Sequence, residues 1–572
     1  MDKTGIFNLK KTPLPEKASM LKSIGAYDEE SVHFIANKAQ IIADILQVEN
    51  GQLHIEGRNR IELFENNYSV FVQDETGNRY ELDYYRAPYF NTNDENGNTL
   101  FKAEAFRVNL PFNSSHTFYF IIESKEKTYQ RKMNIVYGKF SRLSKLDGAY
   151  FIEHNMIAIA NSNSIETKPA KLTTCLLREN VFRKTLQNNC PKEIIQLRKK
   201  AKALSKGKPI ILIFDRNDRA GDNAEALFKY ISKMKNQSKY RVFFAVSRES
   251  EDFSRLKKHG AVLDFGSSEY LAAFLAADMV ISSQWANWAI NPFGTEREYV
   301  KDMIRFKFVF LQHGIMFGNM SDWGNRIRRN ISYFITATKY EYTSIVNGNY
   351  GYEPQQVLLT GFPRYDNIID DNEKLIVLAP TWRKYMNFET IPGSYRLKVT
   401  EDIKETEYFS FYNNLINDSR ILKAMKENGY KGVFCIHPLF MEMRNMFEGN
   451  ELFSIEEDGF SYNDIIKRGA FMITDYSSVV SDFAYLKKPV LYAQFDYTKF
   501  FASHTYSEGT FSYELDGFGP VTYTYEETVD KIVETITNDC AEPEEYAKRV
   551  EEFFSYNDKN NCMRICDRLG LQ

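Results

Sequence analysis

The sequence predicts an α/β protein in which two parallel sheets face a cleft, preceded by an N-terminal antiparallel β-sandwich domain. Apolar strand-like runs alternate with helical stretches from residue 209 onward, and a second series of the same kind opens near residue 370. This rhythm is typical of βαβ units. Residues 31–140 instead carry short alternating runs separated by Asn-Gly and Thr-Gly turns, as in a small antiparallel sandwich.

Each predicted strand is a short apolar run bounded by turn residues. In the β-rich part the runs are residues 52–56, 68–72 and 117–122. In the first parallel series they are residues 209–214, 240–246, 261–265, 279–283 and 308–311. In the second they are residues 375–380, 432–436, 471–474 and 489–493.

The predicted domain boundaries follow these changes of rhythm. Residues 1–145 form the β-rich domain, 146–205 a helical linker, 206–368 the first Rossmann-like domain, and 369–572 the second with C-terminal helices. The linker ends in a basic segment, Arg198–Lys208. We prefer to interpret it as a solvated helix face, and the alternative is attraction to anionic lipid head groups.

Composition and charge exclude several classes of protein. The chain has 572 residues, too many for one hydrophobic core. Its 73 basic and 76 acidic side chains give no whole-chain reason to expect nucleic-acid binding. The six cysteines show no CxxC pair and no zinc-ligand spacing, so we expect neither disulfides nor a metal site. The start resembles no signal peptide, and the longest apolar run, Leu271–Ile281, is too short to span a bilayer, which predicts a cytoplasmic protein.

A polar turn, Asp475-Tyr-Ser-Ser478, follows the predicted strand 471–474 and precedes a helix whose first turn is residues 479–482. Such a junction offers backbone N–H groups, serine hydroxyls and a positive helix end to a phosphate. Asp482 lies four residues after Ser478, on the same helix face, where it could hold a ribose hydroxyl. The alternative is ordinary helix capping.

Two arginines are expected to bring positive charge to the cleft. Arg383 ends the motif Pro380-Thr-Trp-Arg, which includes Thr381, and Arg364 lies in Gly361-Phe-Pro-Arg-Tyr-Asp. Guanidinium groups suit a pyrophosphate. The alternatives are an ordinary surface salt bridge and a structural Gly/Pro hinge.

One histidine follows a predicted strand in each half of the chain. His313 lies in Leu311-Gln-His-Gly314, and His437 lies in Cys435-Ile-His-Pro438. Histidine can accept a proton near neutral pH or donate to a phosphoryl oxygen. A single histidine after a strand is more often structural, but one at a strand end in each half favours a functional pair.

These motifs occur in the order found in the CDP-glycerol glycerophosphotransferase family, the teichoic acid primases and polymerases, which the chain resembles over residues 206–545. The resemblance implies a GT-B-like pair of Rossmann domains with the donor held mainly by the second. It also implies transfer of an alditol phosphate from CDP-glycerol or CDP-ribitol to a hydroxyl group, with release of CMP.

The resemblance also implies residue roles. His313 would be the general base and His437 would bind or polarise the transferred phosphoryl group. The donor side would comprise Arg364, Thr381, Arg383, Asp475, Ser477, Ser478 and Asp482, and the acceptor side Gln312, Gly314 and Asp322. The segment after His313 departs from the family pattern, because Phe317 stands where a charged residue is usual.

The partners implied are an undecaprenyl-diphosphate-linked oligosaccharide, or a growing teichoic or capsular polymer, at the cytoplasmic face of the bacterial cell membrane. Peripheral attachment would use Arg198–Lys208 and Arg326–Arg329. We expect no tightly bound cofactor or metal, and assistance by Mg²⁺ stays open. The alternatives are a GT-B glycosyltransferase that uses a nucleotide sugar and a non-catalytic polymer-binding protein.

Overall fold

The computed structural model describes residues 40–60, 68–85, 92–93, 99–101, 104–124, 130–390, 397–400, 402–457, 462–503 and 511–571. These residues form an N-terminal β domain, two helices, and two α/β domains. The polar segment expected at residues 1–30 lies outside the described residues. Among the helices described, none combines the length and the apolar character that crossing a bilayer requires.

The β domain consists of a five-stranded and a seven-stranded sheet around one apolar core. Alternate side chains of a strand point into this core: in the strand Ala105–Pro111, Phe106, Val108 and Leu110 are buried while Asn109 is exposed. A two-stranded sheet accompanies them. The strands are β1 (Gln40–Glu49), β2 (Gln52–Arg60), β3 (Tyr68–Gln73), β4 (Arg79–Glu81), β5 (Asp83–Tyr85), β6 (Thr92–Asn93), β7 (Thr99–Phe101), β8 (Ala105–Pro111), β9 (His116–Ser124), β10 (Gln130–Lys132), β11 (Asn134–Ser141), β12 (Tyr150–Glu153), β13 (Met156–Ala160) and β14 (Ile165–Pro169).

The β domain extends further than the boundary at residue 145 predicted. Strands β12–β14 lie in the segment predicted to be a helical linker, and β14 pairs with β9. The turn between β12 and β13 is His154-Asn155, both with positive φ, the turn geometry that suits a tight hairpin. Only residues 170–205 are helical, as α1 (Leu172–Asn189) and α2 (Lys192–Leu204).

The first α/β domain is a parallel sheet of seven strands in the order β17-β16-β15-β18-β19-β20-β21. The chain moves outward from β15 in one direction and then in the other, so the order reverses between β15 and β18. Ligands bind at this point in doubly wound sheets. The elements are β15 (Ile210–Phe214), α3 (Asn223–Ile231), β16 (Arg241–Val246), α4 (Glu251–Leu256), β17 (Ala261–Asp264), α5 (Ser268–Ala276), β18 (Met279–Ser282), α6 (Asn287–Ile290), β19 (Lys307–Phe310), α7 (Ser321–Gly324), α8 (Arg326–Arg329), β20 (Tyr333–Thr336), α9 (Lys339–Asn347) and β21 (Val357–Leu359).

The second α/β domain repeats this order with six parallel strands, β26-β25-β22-β27-β28-β29. Its reversal lies between β22 and β27, the strands that precede the Thr381 and Asp475 motifs. The elements are β22 (Leu375–Leu378), β23 (Phe388–Thr390), β24 (Leu397–Val399), α10 (Glu407–Asn417), α11 (Ser419–Asn428), β25 (Lys431–Phe434), β26 (Phe453–Ile455), α12 (Tyr462–Arg468), β27 (Gly469–Thr474), α13 (Val480–Tyr485), β28 (Val490–Ala493), α14 (Tyr497–Ser503), β29 (Val521–Thr522), α15 (Tyr525–Thr537), α16 (Glu544–Phe553) and α17 (Asn561–Arg568).

One apolar cluster includes residues of both α/β domains. Within it, Tyr365 of the connecting segment stacks on Tyr485 of α13, with ring centroids 4.1 Å apart. The C-terminal helix α17 is tied to the same connecting segment, because Asp366 accepts hydrogen bonds from the backbone N–H groups of Asn561 and Cys562 at 2.8 Å. The two domains are therefore joined by packing as well as by the chain.

The β domain is held to the first α/β domain by a buried ion pair. Arg326 is 1% exposed and donates to Glu56 at 3.0 Å and to Glu49 at 3.1 Å. Burial favours the neutral acid, but the guanidinium outweighs it and holds the pKa of Glu56 at about 2. Arg326 is thus unable to face a membrane, contrary to the prediction for residues 326–329.

The other predicted basic surface is also partly internal. Arg198 on α2 is 7% exposed and donates to both carboxylate oxygens of Asp302 at 2.6 and 2.7 Å. The apolar side of α2 packs into the core that contains β15. The interpretation of Arg198–Lys208 as a wholly solvated face is therefore wrong at this residue.

Candidate active site

A cavity of about 500 Å³ opens between the two α/β domains, where strands of both sheets end. Three predicted residues from the first domain line it together with five from the second. These are Gln312, His313 and Gly314, and Thr381, His437, Tyr476, Ser477 and Ser478, of which Tyr476 was in the motif but not predicted as a site residue.

His313 is directed into the cleft by an unusual turn after β19. The preceding residue, Gln312, has a φ of 60°, a conformation that side-chain-bearing residues rarely adopt. Its buried side chain donates to the carbonyl of Ile335 at 2.7 Å and to Glu341 at 3.0 Å. Glu341 also accepts the N–H of Met316 at 3.2 Å. Gln312 therefore anchors the turn that carries His313.

The surroundings of His313 set its protonation and tautomer. Nδ1 lies 3.3 Å from the carbonyl oxygen of Ser283, which can only accept, so this nitrogen carries the hydrogen. The lone pair is then on Nε2. Desolvation lowers the pKa of His313, and the charges of Arg216 and Arg364 act in the same direction against that of Asp222. The lowered pKa favours the neutral imidazole, whose Nε2 can accept a proton.

His437 has the opposite tautomer. It precedes a 3₁₀ segment, Pro438–Met446, and its Nδ1 accepts the backbone N–H of Leu439 at 3.2 Å. The ring hydrogen must then be on Nε2. Burial, reinforced by the charge of Arg216, lowers the pKa of His437 to about 4. The cleft thus contains one imidazole that can accept a proton and one that can donate a hydrogen bond.

Gly314 and Ser478 bring the two domains into direct contact beside His313. A Cβ on Gly314 would lie 2.8 Å from the Ser478 hydroxyl oxygen, so a larger residue would require the serine side chain to move. The helix expected from Val479 begins at Val480 as α13, and no side chain caps it. The Ser477 hydroxyl accepts the N–H of Val479 at 3.4 Å, and both serine side chains lie at the cavity wall.

Arg383 lies beneath the cleft. It is fully buried and donates to Asp496 at 2.6 Å and to the Thr381 carbonyl at 2.6 Å, and it forms an ion pair with Asp475 at 2.8 Å. Asp475 also accepts the backbone N–H of Thr381 at 2.9 Å. In this structure Arg383 and Asp475 position the cleft floor, and neither reaches the cavity where the sequence predicted donor contacts.

Arg364 and Asp482 form a second buried pair between the domains. The guanidinium donates to the two carboxylate oxygens at 2.8 and 2.5 Å, and to Asp222 at 2.9 Å. The Tyr365 hydroxyl also donates to Asp482 at 2.8 Å. Arg364 therefore neutralises Asp482 instead of an open phosphate position, and Asp482 is 6% exposed and does not line the cavity.

Several residues around the cleft were not predicted. Glu341 anchors the turn that carries His313, and the sequence marked this residue only by its place near the start of a helix. Phe317 packs on Phe511, with ring centroids 4.5 Å apart, which explains why an apolar residue replaces the charge usual there. Asp322, predicted for the acceptor side, is exposed at α7 and does not line the cavity. Within the described ranges, no three or more His, Cys, Asp or Glu side chains cluster as a metal site would require.

Comparison with known proteins shows extensive similarity. A family model described as CDP-Glycerol:Poly(glycerophosphate) glycerophosphotransferase matches residues 195–571. The chain is 34% identical over 491 residues to the minor teichoic acid biosynthesis protein GgaB of Bacillus subtilis (strain 168), which covers 82% of this chain and 53% of that protein. The chain therefore spans about half the length of GgaB.

Two further similarities are more distant. The teichoic acid glycerol-phosphate transferase of Staphylococcus aureus (strain NCTC 8325 / PS 47) is 22% identical over 390 residues, which are 61% of this chain and 89% of that one. The solved structure of the wall teichoic acid polymerase TagF has a TM-score of 0.48 and 17% identity, and covers 68% of this chain and 97% of that one.

Proposed function

This chain belongs to the CDP-glycerol:poly(glycerophosphate) glycerophosphotransferase family, and we propose that it transfers glycerol phosphate or ribitol phosphate from a CDP-alditol to an acceptor hydroxyl, releasing CMP. One observation carries the proposal most directly. His313 and His437 line one cleft, and their Nδ1 atoms make opposite contacts, since the first faces the carbonyl oxygen of Ser283 and the second accepts the N–H of Leu439. Phosphoryl transfer to an alcohol needs a base for the nucleophile and a donor for the phosphoryl oxygens, and the pair supplies both.

In the proposed reaction, Nε2 of His313 accepts the proton of the acceptor hydroxyl while its oxygen bonds to the alditol-bearing phosphorus. The bond between that phosphorus and the bridging oxygen breaks, and CMP leaves with the oxygen and its electron pair. The Nε2–H of His437 donates to a non-bridging oxygen, where negative charge builds up. The proton from the alcohol remains on His313 until solvent removes it.

The donor would lie against the second domain, where Thr381, Ser477 and Ser478 line the cavity. Two buried polar atoms there, Thr381 Oγ1 and Tyr476 Oη, have no hydrogen-bond partner among the described residues. Buried polar groups normally find a partner, so these favour a polar ligand. Arg383, Asp475, Arg364 and Asp482 would act through the groups they position. We further propose a GT-B-like arrangement, in which the first domain presents the acceptor.

The acceptor would be an undecaprenyl-diphosphate-linked oligosaccharide, or a teichoic or capsular polymer, reached at the cytoplasmic face of the bacterial membrane. Helix α1 supports this peripheral location, because it exposes an apolar stripe while Phe182 and Leu186 pack inward. Cations flank the stripe, so its charge and its apolar side suit an anionic lipid surface. The stripe is Leu172, Leu176, Leu177 and Val181, and the cations are Lys171, Arg178, Arg183 and Lys184.

The experiment that tests the function measures CMP release by purified protein given CDP-glycerol, CDP-ribitol or a panel of nucleotide sugars, each with a lipid-linked acceptor analogue. CMP release with one CDP-alditol, abolished in a folded His313→Ala variant, supports the proposal and identifies the donor. Turnover of a nucleotide sugar alone would instead establish a glycosyltransferase. Binding of a CDP-alditol with unchanged affinity and no turnover, in the wild type and in His313→Ala, would favour a non-catalytic binding protein.

A further inference from the structure

The first α/β domain has its own reversal of strand order, and a residue outside the predicted site occupies it. Strand β15 lies at this reversal, beside β18, and is followed directly by Asp215 and Arg216. Side chains that follow the strands at such a reversal face the crevice in which doubly wound sheets bind ligands. His313 follows β19, two strands from β15 in the same sheet.

The loop that carries Arg216 is held rigidly by Asp215. This carboxylate is 1% exposed and accepts hydrogen bonds from the N–H groups of Asp222 and Ala224 at 3.0 and 2.9 Å and from the Ser283 hydroxyl at 2.6 Å. The N–H of Arg216 donates to the carbonyl of Arg219 at 3.1 Å. The backbone of Arg216 is therefore fixed, whereas its side chain is exposed.

The guanidinium of Arg216 differs from those of Arg364 and Arg383 in its charged partners. It forms no ion pair with a carboxylate within the described ranges, in contrast to Arg364, which pairs with Asp482 and Asp222, and to Arg383, which pairs with Asp475 and Asp496. The two arginines expected to bind phosphate are thus already neutralised. Arg216 is close enough to His313 and His437 to lower the pKa of both, although these histidines belong to different domains.

We propose that Arg216 binds the diphosphate of the donor from the first-domain side of the cleft. An arginine without a carboxylate partner leaves its N–H groups available for two non-bridging oxygens. Its positive charge offsets the charge that develops as the new P–O bond forms and the bond to CMP breaks, and no bond to Arg216 itself is made or broken. The inference rests on the proposed phosphotransfer, since that reaction places a diphosphate at this position.

The variants that test the proposal are Arg216→Ala and Arg216→Lys, with Arg219→Ala as the matched control. Arg219 lies on the same loop and approaches Asp218 at 3.6 Å. We expect kcat/KM for CMP release to fall about 100-fold in Arg216→Ala, partly recover in Arg216→Lys, and stay within about threefold of wild type in Arg219→Ala. Equal activity of Arg216→Ala and Arg219→Ala would overturn the proposal.

A pH profile separates contact with the substrate from a structural role. Removing the charge of Arg216 should raise the pKa of His313, which Asp222 and Arg364 also influence, and that of His437. The acidic limb of kcat/KM therefore moves to higher pH in Arg216→Ala, whereas misfolding would reduce the rate evenly at every pH. An unshifted limb contradicts the placement of Arg216 beside the histidines.

Calorimetric titration with inorganic pyrophosphate keeps this inference distinct from the proposed function. If the wild type binds pyrophosphate and Arg216→Ala binds it at least about 10-fold more weakly, the anion site stands even where no CDP-alditol is turned over. Pyrophosphate binding without turnover of a CDP-alditol would refute the proposed reaction but not the anion site. Equal pyrophosphate binding by wild type, Arg216→Ala and Arg219→Ala, or no binding by any of them, would overturn the anion site whatever the donor.

Discussion

The side-chain amide of Gln312 donates to the carboxylate of Glu341 across 3.0 Å, and this contact ties the turn before His313 to helix α9. The same carboxylate accepts the N–H of Met316, so both sides of His313 are attached to one group. An imidazole that must lie within hydrogen-bond distance of a hydroxyl group benefits from a backbone that is held in place on both sides.

The positive φ of Gln312 predicts an unusual order of stability. Gln312→Ala and Gln312→Gly both remove the anchoring amide, but only glycine relieves the left-handed backbone. We expect Gln312→Ala to have a free energy of unfolding about 1 kcal/mol lower than Gln312→Gly, the reverse of the order in a helix. Urea denaturation of the two variants measures this difference. An alanine variant as stable as the glycine variant would show that the turn adjusts without strain.

The opposite tautomers of the two histidines predict different responses to glutamine. A glutamine amide can replace the Nε2–H donor of His437 but cannot replace the basic Nε2 of His313. We expect His437→Gln to be about 10-fold more active than His437→Ala, while His313→Gln and His313→Ala both lose about 1,000-fold in kcat. His259→Ala, outside the cleft, is the control and should keep wild-type activity. Recovery by glutamine at residue 313 instead would reverse the assigned roles.

The lowered pKa of His313 sets the expected pH dependence. Because the folded-state pKa lies below 6.5, the basic form persists at acidic pH, and protonation removes it only on further acidification. The acidic limb of kcat/KM should therefore have its midpoint below pH 6.5. Steady-state CMP release measured across this range provides the test. A midpoint above pH 7 is incompatible with His313, in this environment, as the base.

The pair between Arg364 and Asp482 should stabilise the junction of the two α/β domains. Asp482→Asn removes the negative charge opposite a buried guanidinium and one of the two oxygens that accept its hydrogen bonds, which should lower the free energy of unfolding by about 3 kcal/mol. Glu551→Gln breaks an exposed pair with Lys487 and should change stability little. Calorimetric melting of both variants gives the comparison, and similar melting temperatures would show that the buried pair contributes no more than a surface pair.

Helix α1 predicts how the protein meets a lipid surface. Replacing Leu172, Leu176 and Leu177 together by glutamate should reduce binding to phosphatidylglycerol vesicles by at least about 10-fold. The substitutions remove apolar surface that the lipid would cover, and the new carboxylates are repelled by the anionic head groups. Leu515→Glu is the control, since Leu515 is 75% exposed but lies in the second α/β domain. Vesicle sedimentation measures the bound fraction. Equal binding by the triple variant and the control would exclude α1 as the contact.

The parallel strands could be predicted because they are buried on both faces and therefore read as unbroken apolar runs. The run 209–214, for example, corresponds to β15 (Ile210–Phe214). Strand β21 has three residues and carries too little pattern to stand out. Strands β12–β14 were missed because the hairpin turn His154-Asn155 contains no glycine.

The motifs located the cleft but did not reveal which charged groups oppose each other. Arg364 and Asp482 are separated by 118 positions in the chain, and each on its own suggested a contact with the donor. Their mutual pairing depends on how the two domains pack, which no local spacing encodes. Arg216 shows the converse, because its place in a polar loop did not indicate that it would form no ion pair with any carboxylate in the described part of the chain.

The pairing of Arg326 with Glu56 and Glu49 has a consequence for any shortened form of the protein. Without the strands that carry these acids, Arg326 would lose both carboxylate partners, and Ile327, which packs on Ala105 and Tyr85 of the β domain, would be exposed to water. A chain that begins at Ala170 should therefore be less soluble than the full chain when expressed alone. The β domain is on this view a folding partner of the first α/β domain and not a detachable module.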